Sequence, residues 1–210
     1  MRDTSNEQNS FTALALRKCL TNGHLKYINT ERDLYKRLFG LIAYDSTQSL
    51  FTYKLSMADK STVRPGIGIG DLKFGASIAD AEAYFGSADE REQSDLGKDT
   101  TICLTWDDDV TCWFSSDDDY RLGLIQVEHP HALLADHKLI AHHRDEILPL
   151  LSPAFGQPVL EDMSVIESPN YWLATYDEFS LNLWFENGCL SSIQWGYLFD
   201  ESGDNAVWPL

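Results

Sequence analysis

Short stretches in the C-terminal two thirds of the chain alternate apolar and polar residues, the pattern of a half-buried strand. "VTCWF" (110–114) and "FSLNLWF" (179–185) are the clearest. Val110, Cys112 and Phe114 would face one way, as would Phe179, Leu181, Leu183 and Phe185. Thr111 and Trp113, and Ser180, Asn182 and Trp184, would face the other way. "TICLTW" and "RLGLIQVE" flank the first strand; "YWLATY" and "CLSSIQW" flank the second. Helical spacing predicts helices over 11–21 and 29–40, the second capped by Thr30 and stopped at Gly40. "SLFTYKLSM" (49–57) reads as a strand, "ADKSTVRPG" (58–66) as a linker, and "LKF" (72–74) as a strand.

Two long segments share a plan. "FGASIADAEAYFGSADE" (74–90) and "IAHHRDEILPLLSPAFGQPVLED" (140–162) each hold a helix that stops at Phe-Gly, and each is followed by a meander. Trp106-Asp107 corresponds to Tyr176-Asp177, Trp113-Phe114 to Trp184-Phe185, and Ile125-Gln126-Val127 to Ile193-Gln194-Trp195. The expected fold class is α+β: tandem units of a helix plus an antiparallel three- to four-stranded meander, with an N-terminal mainly helical segment. The expected division is 1–64, 65–133 and 134–210.

Charge adds a second layer. The net charge is −17 over 210 residues. Residues 1–64 carry ten basic and six acidic side chains, a balance of +4; residues 65–210 carry six and 27, a balance of −21. Such a surface repels nucleic acid and anionic membranes and speeds encounter with a basic protein. No stretch approaches the roughly 18 apolar residues of a membrane span. The polar start "MRDTSNEQNS" has no apolar region behind it, so the expected location is cytoplasmic.

The acids concentrate at Asp107, Asp108 and Asp109 and at Asp117, Asp118 and Asp119, the latter followed by Tyr120. Three explanations compete: a metal site, solvated turns, or a surface for a basic partner. Both runs fall on predicted hairpin turns, where aspartate bonds the nearby backbone; Glu178 and Glu186 fall on the corresponding turns of the second meander. Asp117, Asp119 and Glu128 match positions of a calcium loop, but Arg121 and Leu122 stand where that loop needs a ligand and a glycine. "GIGIGD" (66–71) lacks phosphate-loop spacing. Five histidines between 129 and 143 lie at a turn and a helix start. Cys19, Cys103, Cys112 and Cys189 form no CxxC pair and read as reduced thiols, with Cys103 and Cys112 on neighbouring strands. No catalytic signature occurs. No cofactor, metal or enzyme activity is expected.

The Phe-Gly helices and their meanders resemble the β-lactamase inhibitory protein. The same helix segments look like those of the SmpA/OmlA outer-membrane assembly lipoproteins, and "GIGDLKFGASIADAEAYFG" looks like segments of bacterial toxin-immunity proteins. The resemblance covers about residues 66–198. It implies an α/β repeat with a continuous or paired antiparallel sheet whose exposed face or loops grip another protein. Together with the −21 segment and the two polar-face tryptophans, the expected function is an immunity protein that neutralises a cognate basic toxin, nucleases being one such class, by stoichiometric binding. Alternatives are an adaptor for an endogenous protein and a metal-dependent enzyme. The expected contact surface is Trp113, Trp184, Gln126 and Gln194 on the polar sheet face, with the two aspartate runs, Tyr120 and Glu186 around it. Against this stands the possibility that residues 1–64 cover that face.

Overall fold

The computed structural model describes residues 60–210 except 97–98, 108, 166–168 and 204. Residues 57–210 form one compact unit. The helices expected at 11–21 and 29–40 and the strand at 49–57 lie outside the described residues.

Strands β1 (Val63–Arg64), β2 (Gly68–Ile69) and β3 (Leu72–Lys73) make a small antiparallel sheet. The expected linker therefore contains a strand, and Val63 is buried. The "GIGIGD" stretch forms its tight return. A Cβ at Gly68 would lie 2.0 Å from the Leu72 carbonyl oxygen, so glycine is there for close backbone approach. The Gly68 carbonyl in turn accepts the indole N–H of Trp195 at 3.0 Å.

Helix α1 (Ile78–Phe85) starts in a capping box. The Ser77 hydroxyl accepts the Asp80 amide, and the Asp80 carboxylate accepts the Ser77 amide, so two otherwise orphaned N–H groups are satisfied. Then come β4 (Glu90–Leu96), β5 (Asp99–Trp106), β6 (Val110–Ser115) and β7 (Arg121–Val127), and the short pair β8 (Leu133–Leu134) and β9 (His137–Lys138). Helix α2 (Arg144–Phe155) starts at His143, whose Nδ1 accepts the Asp145 amide at 3.3 Å. After it run β10 (Val159–Asp162), β11 (Tyr171–Tyr176), β12 (Leu181–Glu186), β13 (Cys189–Gly196), β14 (Leu198–Phe199) and β15 (Ala206–Val207).

The main sheet has eight antiparallel strands in the order β10-β11-β12-β13-β7-β6-β5-β4. This corrects the α+β expectation. The two meanders do not build separate helix-backed sheets; they merge into one, and the architecture is mainly antiparallel β. The physical reason is the pair of free edges. Each meander would end on an exposed ladder at β7 or β13, and joining them satisfies both rows of backbone groups. The outer strands β4 ("EREQSDL") and β10 ("VLED") lack apolar alternation because they are edges.

The core lies on one face. Ile102, Leu104, Trp106, Val110, Cys112, Phe114, Leu122, Ile125 and Val127 are buried there, with Ala174, Leu181, Leu183, Phe185, Ile193 and Trp195. Ile147 and Leu151 of α2 pack against it, and Phe155 lies 5.8 Å from the Tyr176 ring. The Trp106 indole donates to the Gly86 carbonyl at the end of α1. Phe179, expected in a strand, lies instead in a 3-10 turn (Asp177–Phe179) before β12, edge-on to Phe155. Cys103 and Cys112 are on adjacent strands but on opposite faces, because Cys103 pairs with Trp113 and Leu104 with Cys112. Neither forms a disulfide.

Candidate functional site

The face opposite the core carries a polar row across the sheet. Ladder register aligns Thr105, Thr111, Gln126, Gln194, Asn182 and Thr175 on six successive strands. The Thr105 and Thr111 hydroxyls are 3.3 Å apart. The Gln194 side-chain amide donates to the Gln126 carbonyl oxygen at 3.2 Å, and the Gln126 amide donates to the Glu128 carboxylate at 2.8 Å. The amide donors thus point in one direction, toward a carboxylate. Asn182 Oδ1 accepts no hydrogen bond from the described residues, although the residue is buried.

The two tryptophans of this face differ. Trp113 is half-buried, between Cys103 on β5 and Leu124 on β7. Trp184 is 5% exposed and stacks on Tyr171, with ring centroids 5.3 Å apart and planes 19° from parallel. Leu173, Asn182, Ser192 and Gln194 around it are also buried, whereas Thr105, Thr111, Leu124 and Gln126 keep partial exposure. Equivalent places in the sequence pattern therefore hold side chains in different surroundings. The alternative that residues 1–64 cover the face concerns mostly residues outside those described.

The two aspartate runs lie on turns at opposite ends of the sheet, because consecutive hairpin turns alternate ends. Asp107 and Asp109 sit between β5 and β6; Asp108 is outside the described residues. The Asp107 amide donates to the Asp89 carboxylate, and the Glu128 amide to the Asp109 carbonyl at 2.9 Å. Asp109 has a φ of 55°, a left-handed conformation that aspartate tolerates better than most side chains. The register of β7 against β13 brings Glu186, at the β12–β13 turn, to this same end.

At the other end Asp117 and Asp118 form a 3-10 turn, followed by Asp119 and Tyr120, both with positive φ. Asp118 accepts the Tyr197 hydroxyl at 3.1 Å. Burial holds the Asp118 carboxyl above its ordinary value, partly offset by that bond. Arg121 lies 3.7 Å from Asp119, and Tyr120 is 40% exposed. This end is partly neutralised and internally bonded.

The first end is internally bonded as well but not neutralised. Asp109, Glu128 and Glu186 have no ion pair among the described residues. Their charges are felt together. Burial first, then the Glu186 carboxylate and then that of Glu128, together raise the Tyr171 hydroxyl to about 12. Glu128 itself is shifted up by loss of water around its carboxylate, opposed by the Gln126 amide and reinforced by Asp109. Sequence reading missed this grouping. The repeated Ile-Gln motif was the available signal, because pairing its two copies antiparallel sets residue 128 opposite Ser192, toward the end of the sheet that holds the turn after Glu186.

Among the described residues no group of three or more His, Cys, Asp or Glu is placed to hold a metal ion. His129 and His131 contact each other, while His142 and His143 lie near Glu146 and Asp145. No described helix is long and apolar enough to cross a membrane.

No protein-family model matches the chain, and no curated protein matches it. Among solved structures, a Streptococcus mutans protein described as a candidate β-lactamase inhibitor protein is similar to it. The identity is 17% over 71% of this chain and 98% of that chain, with a TM-score of 0.27. The resemblance to β-lactamase inhibitory protein thus has a weak structural neighbour, too distant to establish a shared fold.

Proposed function

We propose that this chain is an inhibitor-type binding protein that occupies and neutralises a basic protein partner. It acts by contact and not by catalysis. The observation that carries this reading is the run of acids at one end of the sheet, Glu186 and Glu128 acting on Tyr171 and Asp109 acting on Glu128, none of the three in an ion pair among the described residues. Like charges brought together by a fold destabilise it slightly, and a cationic partner relieves that repulsion while gaining speed of encounter. The net charge of −17 acts in the same direction at longer range. Half-exposed Trp113, with threonines around it, supplies apolar area on the same sheet face, four residues along β6 from Asp109.

The specific form proposed is an immunity protein against a basic toxin. The acidic end steers the toxin in, Trp113 and the polar row hold it, and the toxin's own working surface is covered. The test is a low-salt affinity capture from the native host, eluted with rising salt. One basic protein recovered in stoichiometric amount, lethal when produced without this chain and harmless with it, supports the reading. A basic partner that is harmless alone would replace immunity with an adaptor role. Recovery of no basic partner would remove the proposal.

A further inference from the structure

The two edges of the main sheet are built differently. At one edge, β4 presents Glu90, Arg91, Glu92, Gln93 and Asp95, all exposed, and such charges discourage another strand from pairing. At the other edge, β10 presents Val159 (55% exposed) and Leu160 (44%), followed by Glu161 and Asp162. Its ladder phase is readable. The Met163 amide donates inward to the Tyr171 carbonyl at 2.8 Å, so Val159 and Glu161 also direct their backbone groups toward β11. Leu160 and Asp162 direct their N–H and C=O groups away from the sheet.

We infer that the outer edge of β10 receives an extended segment of the basic partner as a ninth, antiparallel strand. This rests on the basic-partner reading and specifies a mode of contact for it. A second copy of this chain fits poorly. Pairing Leu160 with its own counterpart sets Asp162 opposite Pro158, which has no N–H to give. Centring on Glu161 or on Asp162 sets like charges directly opposite. A foreign strand with lysine or arginine opposite Asp162 and Glu161, and with β-branched residues opposite Leu160 and Val159, meets none of these conflicts. Main-chain bonds to Leu160 and Asp162 then supply affinity, and the acid pair supplies selectivity.

The test uses the full chain labelled for NMR and a blocked hexapeptide, Thr-Lys-Lys-Val-Val-Thr, with a Thr-Glu-Glu-Val-Val-Thr control. The basic peptide should shift the Leu160 and Asp162 amide resonances saturably, and the acidic one should not. Leu160→Pro removes an outward N–H, which an edge strand tolerates, and should weaken the peptide about tenfold, the equivalent of one lost hydrogen bond near 1.4 kcal/mol; Leu160→Ala, which keeps the N–H, controls for the lost side chain and should weaken it less. The pair Glu161→Lys and Asp162→Lys should reverse the preference. Shifts confined to Glu128 and Glu186, equal response to both peptides, or no response would overturn the inference. Separately, a captured basic partner that binds Leu160→Pro as tightly as wild type would sink the edge contact and leave the basic-partner reading standing. Peptide docking with no basic partner in the host would do the opposite.

Discussion

Gln126 and Gln194 face each other across the junction of β7 and β13, joined by a 3.2 Å hydrogen bond between residues 68 apart in sequence. Ile125 faces Trp195 and Val127 faces Ile193, so the junction has a local two-fold arrangement centred on the two amides. Symmetry would make the partners equal, but the bonding is directional. Gln194 donates to Gln126, which donates to Glu128. The junction that holds the two halves of the sheet together is therefore also wired to the acidic end.

Truncating one amide should cost more than replacing both. Gln194 is 4% exposed, so Gln126→Leu leaves a buried donor unpaired and should destabilise by about 1–3 kcal/mol. Gln126→Leu combined with Gln194→Leu removes both partners and should cost less than the sum of the single changes. Urea unfolding of the four proteins in a double-mutant cycle measures the difference.

Tyr176 carries a buried hydroxyl with no hydrogen-bond partner among the described residues, and burial raises its pKa to about 12. Tyr176→Phe deletes an unpaired polar atom and keeps the ring against Phe155. Its unfolding free energy should equal the wild type's or exceed it by about 1 kcal/mol. A loss beyond about 1 kcal/mol in chemical denaturation would show that the hydroxyl has a partner.

Trp184 and Trp113 should separate stability from binding. Trp184→Ala empties a buried position stacked on Tyr171 and should cost about 3–5 kcal/mol of stability. Trp113→Ala starts from a half-exposed ring and should cost roughly half as much or less, while accelerating dissociation of the partner. Equal stability losses in the two variants would contradict the burial difference.

The acidic end should leave a mark on the pH dependence of stability. The folded protein holds the Glu128 proton to a higher pH than the unfolded chain, whose ordinary value is 4.5. The folded state therefore binds more protons in the window above 4.5, and stability falls as pH rises through it. Glu128→Gln keeps an acceptor for the Gln126 amide and removes the titration. Its stability profile should be flatter above 4.5 than the wild type's in urea unfolding across that range.

Local patterns were legible in the sequence and long-range ones were not. The alternation at Val110, Cys112 and Phe114 identified the core face because one side of β6 is buried and the other is only partly covered. The aspartate runs read as turns because their side chains suit tight backbone geometry. Whether the meanders form one continuous sheet or a pair stayed open in the sequence, because the β7–β13 pairing depends on contact between residues far apart in it. β4 and β10 were hidden because edge strands need no apolar alternation. The buried state of Trp184 was hidden as well, since the sequence around it matches that around half-exposed Trp113.

The most direct measurement is the association rate of the captured basic partner, as a function of ionic strength, with wild type and with Asp109→Lys, Glu128→Lys and Glu186→Lys combined. The account predicts a fall of about tenfold or more in the rate at low salt, and a flatter salt dependence, with the variant still folded. An association rate and salt slope equal to the wild type's would show that the partner does not approach through this end of the sheet.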